Sequence, residues 1–486
     1  MKSNNLHSLI KSLTKSEKRF ITLNTQIHKG DKVYLKLLEA IDKQDIYDEK
    51  LILHQFKNEA FINQFSVAKN YLQSFILKQL RHFHSNLKAS IECKNYLIEV
   101  EILFWKGQYR LAEKHIIKHE KIGKKYEFFL ILEDLNNWRS RIYTAQLKLD
   151  TDYKITFEDQ SKTNIEMYQN ILDYKELTNT TQLLIKKSEI IRDSKEQLVY
   201  DKLLKNPLLV DANNAKSNQA KYGYYVLNSV IKRMVGEVDE SEKYRKDLLT
   251  FLESKPYLIQ ENPIHYIAAI HNILMNCLVV KDYELFEKTI KKLKNYDFKM
   301  PHEKAYVFST LCLFELGYYT ERKEYDNAIK FVETTLSNYN ELSGLLNMEH
   351  EFLLHYHAGL AQYHRGEYNQ ALKWINKVIN LTSKELRVDV KASAYILNIL
   401  IHYDLENNDI LPYLLKSTVA FLKQNKMFRK IDQVFLSTFS NIPLKSNKKE
   451  TIFYLTQKLQ EMNKVKEKNT IISDVNYFEW IKNRIS

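Results

Sequence analysis

The chain has 486 residues, too many for one compact hydrophobic core, so several domains or a stacked array is expected. Its 9 glycines and 6 prolines are too few for a large β protein or an α/β enzyme with glycine-rich ligand loops, and 44% hydrophobic residues exclude wholesale disorder. The net charge of +13 raises nucleic-acid binding, but only 13 of the 73 basic residues are arginine, and the lysines are interleaved with glutamate and aspartate, as on solvated helix faces.

Residues 1–90 predict a small helical bundle. Its opening segment, Met1 to Lys11, has no apolar signal-peptide core, and the cytoplasm is the expected compartment. Thr14 and Glu17 form a capping box for one helix. Asp31 caps the next, with Val33, Tyr34, Leu37, Leu38 and Ile41 as its apolar stripe. Asp48 opens a third with Leu51, Ile52 and Phe56, and Ser66 a fourth, with Val67, Tyr71, Leu72, Phe75, Ile76 and Leu80 inward. Such a bundle is either a domain or a cap over the first apolar face of an array. Its basic residues, Lys11, Lys15, Lys18, Arg19, Lys69, Lys78 and Arg81, also suit a helical nucleic-acid-reading module.

From residue 91 onward one block recurs: a turn residue, a large apolar residue two positions on, and a residue that must fit against a neighbouring helix three further. It reads Gly107, Tyr109, Ala112; then Gly236, Val238, Ser241; then Lys281, Tyr283, Phe286. Lys323, Tyr325, Ala328 and Gly366, Tyr368, Ala371 follow, with weaker copies at Asn408, Ile410, Tyr413 and at Tyr174, Leu177. From Ser241 the spacing is 42 to 45 residues, a helical-solenoid period; before it, spacings of 64 and 65 imply extra helix or loop. Each repeat is expected to be a helical hairpin. Its turn needs a left-handed backbone or a broken helix end, which suits Gly236, Gly366 or Asn408. A ring three residues before a small side chain fills the seam while the small residue lets the first helix approach.

The clearest unit runs from about Glu349 to Asn380. Its first helix carries Phe352, Leu353, Tyr356, Gly359, Leu360 and Tyr363, and its second Tyr368, Ala371, Leu372, Ile375, Val378 and Ile379. Gly359 costs about 1 kcal/mol of helix propensity, which makes sense where another backbone presses on that spot. Gly359, Gly366, Tyr368 and Ala371 follow the pattern of the tetratricopeptide repeat, which this unit resembles. The departures are a period longer than about 34 residues, Ala358 where leucine is usual, and Phe286 and Tyr413 in place of the small residue. The resemblance implies an all-α protein, a right-handed α-α superhelix in which the solenoid (91–435) follows the N-terminal bundle or cap (1–90) and precedes C-terminal capping helices (436–486). It also implies binding of a peptide or protein surface in the concave groove, with no cofactor.

Between the copies, the polar stretch Thr144 to Ser217 is the expected place for long loops or a bend. At the far end, Asn441 to Asn447 reads as a break before a helix over about 449–464, and Tyr477 to Ile485 as a last helix with Phe478, Trp480 and Ile481 on one face. Trp480 is expected to pack back as a cap, with an exposed docking tail as the alternative. The longest uncharged run, Ile264 to Val280, is interrupted by His265, His271, Asn272 and Asn276 and reads as a buried helix. Cys93, Cys277 and Cys312 read as buried hydrophobes, not a disulfide framework.

No nucleophile motif, phosphate loop or zinc-finger spacing occurs. His115 and His119, four apart beside Glu113 and Glu120, have metal-ligand spacing but no second cluster nearby in sequence. His350 and His355 lie about 140° apart around a helix and miss a metalloprotease pattern, so they, His357 and His364 read as seam or surface residues. Glu99 and Glu101 point to different faces. No enzyme activity, metal or cofactor is expected. The expected function is a non-enzymatic scaffold for a protein or peptide; the alternative is a regulator whose N-terminal bundle contacts nucleic acid or an effector while the array senses a peptide.

Overall fold

The computed structural model describes residues 5–27, 32–147, 151–187, 194–342, 348–381, 388–425, 427–441, 448–465 and 476–485. Among them the secondary structure is helical, with no strand. The chain divides into two compact units, Met1–Tyr266 and Ile267–Ser486; the sequence pattern places boundaries near 90 and 435.

In the first unit, α1 (Asn5–Ser12), α2 (Lys15–Ile27), α3 (Lys32–Asp42), α4 (Glu49–Gln55) and α5 (Phe65–Phe83) form the N-terminal bundle around Ile10, Ile21, Leu37, Ile41, Ile52 and Ile76. The capping box is present: Thr14 N–H donates to Glu17 at 2.7 Å and Glu17 N–H donates to Thr14 Oγ1 at 3.2 Å. Glu17 also meets His84 at 2.6 Å, tying α2 to the end of α5. Asp48 caps α4 through two backbone N–H groups. Asp31 lies outside the described residues. Ser66 is not a cap, because a 3-10 turn at Ala60–Gln64 starts the helix one residue earlier. That places Ala68, Leu72 and Ile76 inward and leaves Val67, Tyr71 and, on α4, Leu51 exposed.

A hairpin follows, α6 (Ala89–Trp105) and α7 (Tyr109–Tyr126), then α8 (Phe129–Ala145), α9 (Thr151–Lys187), α10 (Ser194–Leu204) and α11 (Pro207–Val210). A second hairpin, α12 (Asn218–Met234) and α13 (Val238–Glu253), leads to α14 (Pro256–Glu261). Much of the stretch expected to hold long loops is therefore the 37-residue helix α9. Its polarity reflects exposure on several sides. Tyr174 sits in mid-helix, not at a turn, so Tyr174 and Leu177 are no copy of the repeat. The ring packs against Gly223 of α12 and its hydroxyl donates to the Leu208 carbonyl at 2.6 Å.

The second unit takes in most of α15 (Pro263–Val280), then α16 (Tyr283–Asn295), α17 (Pro301–Glu321), α18 (Tyr325–Leu342), α19 (Met348–His364) and α20 (Tyr368–Asn380). It ends with α21 (Val388–Asp404), α22 (Leu411–Gln424), α23 (Lys430–Asn441), α24 (Lys448–Lys464) and α25 (Tyr477–Ile485). Consecutive helices pair, and α17 also packs on α19 and α19 on α21. α15 is long and apolar enough to cross a membrane, but half of it is buried within the protein, including Ile267, Ile270 and Leu274.

One device closes six hairpins among the described residues. The left-handed residue is Gly107, Gly236, Lys281, Lys323, Gly366 or Glu406, with φ between 60° and 87°. The next N–H reaches back five residues to the first helix: Gln108 to Leu103, Glu237 to Lys232, Asp282 to Cys277, Glu324 to Tyr319, Glu367 to Gln362 and Asn407 to His402, at 2.8 to 2.9 Å. These Schellman closures satisfy carbonyls that a helix end would leave unpaired. The last copy is shifted from the sequence reading. Glu406, not Asn408, is left-handed, so Leu411 is the buried residue five on, while Tyr413 is 76% exposed.

Candidate binding face

The residue five beyond each left-handed turn is buried in all six hairpins: Ala112, Ser241, Phe286, Ala328, Ala371 and Leu411. Two hairpins show how closely the second helix approaches the first seven residues before the turn. In the second hairpin Ser241 Oγ donates to the Ser229 carbonyl at 2.6 Å, a contact only a small side chain allows. In the α19–α20 hairpin the first-helix partner is Gly359, where an added Cβ would lie 2.7 Å from Ile375 Cδ1. The repeat positions are thus framework. Two of the rings two beyond the turn reach the next first helix, Tyr283 edge-on to Tyr318 of α17 and Tyr325 stacked on His364 of α19 at 4.8 Å, whereas Tyr109 and Tyr368 meet Phe104 and Tyr363 of their own first helices. Val238, in the same place, is 43% exposed and fills no such seam.

Exposure varies at the first-helix positions six, three and two before the turn, where Leu360 of α19 and Leu400 of α21 are buried. On α15 these include Met275 and Val279, which are exposed. On α17 the matching position is Gly317, which Leu278 of α15 approaches closely: an added Cβ would lie 3.2 Å from Leu278 Cδ1. On α19 and α21 the set includes Tyr363, Tyr403 and Asp404, and there α25 covers it.

The seat of α25 is polar as well as aromatic. Trp480 Nε1–H donates to Tyr363 Oη at 3.0 Å, and Tyr363 Oη–H donates to Asp404 Oδ2 at 2.7 Å. Arg484 donates to Asp404 Oδ1 at 2.5 Å while its guanidinium lies 3.8 Å over the Trp480 ring. Tyr477 stacks on Phe435 of α23 at 4.0 Å and donates to Asp432 at 3.0 Å. Burial pushes the Tyr363 hydroxyl well above its usual range and Asp404 adds to this, so it stays a donor. Burial works against the Arg484 charge, but Asp404 and Tyr363 outweigh it and hold its pKa above the ordinary value. Trp480 is therefore packed back, in line with one of the two sequence readings. Asp404, Asp432 and Tyr403 carry no sequence signal, because nothing in local spacing links residues as far apart as Asp404 and Arg484, 80 positions along the chain.

No protein-family model, curated protein or solved structure matches the chain. What the site can do rests on its own geometry.

The histidines do not converge on a chemical centre. His119 is fully buried under Tyr96, the rings 3.4 Å apart, with Nδ1 held 2.7 Å from the His115 carbonyl oxygen. His115 turns instead to Glu99 at 3.3 Å. His355 and Trp374 pack 5.3 Å apart in the seam of the α19–α20 hairpin; the side chain of His350 lies outside the described residues. Among the described residues no group of three or more His, Cys, Asp or Glu is placed to hold a metal ion. In the N-terminal bundle, Lys11, Lys18 and Lys69 pair with Asp45, Asp42 and Glu49 of the same bundle, at 3.6, 2.7 and 2.6 Å.

Proposed function

We propose that the protein is a non-enzymatic scaffold that binds a protein or peptide along the first helices of a tetratricopeptide-like array. The observation that carries this reading is the series of first helices in the second unit, α15, α17, α19 and α21, exposed at Met275 and Val279. Equivalent positions recur along it, and it already holds one short helix of the chain, α25. Stacked hairpins present such a face as a row of side chains on rigid elements, which suits an extended or helical partner better than a small substrate. The exposed Met275 and Val279 mark the part free to take one.

The regulator reading, with nucleic acid on the N-terminal bundle, is less favoured. Three of the seven basic residues that suggest it are paired with bundle carboxylates, which lowers the positive potential available to phosphates.

Placing a photo-crosslinking residue at Met275 or Val279, and as a control at exposed Lys373 of α20, tests the scaffold reading in native extract. Crosslinks to a specific protein or peptide from the first two positions and not the third are expected. Equal crosslinking from all three, or no specific partner recovered from the intact protein under mild conditions, would refute it.

A further inference from the structure

We infer that α25 is an internal stand-in for a partner: the surface formed by α19, α21 and α23 is a docking site for a short helix that presents a tryptophan and, four residues later, an arginine. This deepens the scaffold reading and rests on it.

Four features of the seat point beyond a greasy cap. Its centre is a polar chain, Arg484 to Asp404, Tyr363 to Asp404 and Trp480 to Tyr363, and Arg484 also donates to the Trp480 carbonyl within α25. Such a chain reads a sequence pattern, because an aliphatic helix of the same volume would leave Asp404 Oδ1 and the Tyr363 hydroxyl oxygen without the donors that Arg484 and Trp480 supply. The charges are complementary at Asp404, which faces Arg484 of the helix, while Asp432 pairs with Arg429 and accepts from Tyr477. The helix is only 9 residues long, below the length at which a helix holds its shape alone, so its conformation depends on the seat. Finally, the seat uses Asp404, two positions before the turn on α21, and the corresponding residue of α15, Val279, is exposed. The exposed pair of Lys323 with Glu479, 2.5 Å apart, ties the start of α25 to the turn between α17 and α18.

The partner is thus an amphipathic helix with one aromatic anchor, an aromatic residue three before it in the place of Tyr477, and one arginine facing Asp404. Arginine is needed rather than lysine, since its planar head both stacks on the indole and donates to Asp404.

The test uses the full chain, wild type and Trp480→Ala/Arg484→Ala, with a fluorescein-labelled peptide of residues 476–486 as probe. Anisotropy should show saturable binding to the double variant at least tenfold tighter than to wild type, whose seat is filled. Adding Asp404→Asn to the double variant, or replacing the tryptophan or arginine of the peptide, should weaken binding at least tenfold. Equal binding to wild type and variant, or none to a variant that keeps its helical circular dichroism, overturns the inference. If the variant loses its fold, hydrogen exchange on the wild-type chain decides. Amides of 477–485 that open independently of α23 support a displaceable helix, and amides that open only with α23 show a permanent part of the core, which overturns it. Neither result depends on crosslinking at Met275 and Val279, so failure here and failure of the scaffold reading are distinguishable.

Discussion

Replacing Gly359 by alanine puts a methyl group on α19 where α20 presses closest. Helix propensity alone favours the change by about 1 kcal/mol. The new Cβ, however, would lie 2.7 and 2.8 Å from Ile375 Cδ1 and Cγ1 and 3.3 Å from Trp374 Cβ. Ile375 is fully buried, and the Trp374 Cβ is fixed to the backbone, so relief requires the helices to part. Overpacking of this kind costs about 1–3 kcal/mol. The two effects leave a net destabilisation of about 1 kcal/mol, which for a unit of this size lowers the midpoint by about 2–4 °C. Thermal melting and hydrogen exchange over 348–381 are the assays, the second because it reports opening of this hairpin rather than of the whole chain. Ile375→Ala removes both clashing atoms and costs about 2–5 kcal/mol by itself. In the double variant the two losses should fall short of their sum by at least about 1 kcal/mol. A Gly359→Ala protein that is more stable than wild type, or losses that simply add, would refute the close-approach argument.

Lys281 and Lys323 occupy left-handed turn positions that glycine fills elsewhere, so Lys323→Gly should stabilise the fold by about 0.5–1 kcal/mol. Gly366→Ala should destabilise it although a Cβ there meets open space; melting temperatures that move in the opposite directions would count against the shared closure. Burial pushes the thiols of Cys93 and Cys312 up to about 11 and about 12, and Cys277 is buried, so a disulfide-exchange reagent should react with the native chain at least about 100-fold more slowly than with the unfolded chain. Burial also lowers the His119 pKa, with the His115 carbonyl and Glu92 opposing it. The folded state thus binds that proton less readily than the unfolded one. The stability this lends is complete above about pH 6.5 and is lost as pH falls through the depressed folded value. Hydrogen exchange of α6 and α7 should show less protection at pH 5 than at pH 7.5, and His119→Gln should shrink that difference.

Much of the fold is legible in the sequence because its rules are local. A left-handed residue and a buried residue five on recur in the chain, and both are required by chemistry within a single hairpin. That is why Gly107, Gly236 and Gly366 stand out as turn residues from spacing alone. Where the signal is weak, locality fails. Glu406 rather than Asn408 takes the left-handed turn, since glutamate carries no turn preference and the register is set by burying Leu411. The Thr144 to Ser217 stretch reads as loop-like because α9 is exposed on several sides, so its apolar residues show little helical periodicity.

The sequence by itself thus determined the helices, the hairpins, and the residues through which paired helices approach. Only the tertiary structure decided that Tyr363, Asp404 and Asp432, from three helices, form one seat for Trp480, Arg484 and Tyr477. Local spacing fixes which face a residue takes on its own helix. Which distant segment comes to cover that face depends on long-range complementarity of shape and charge, and neither is written in the periodicity of a single chain.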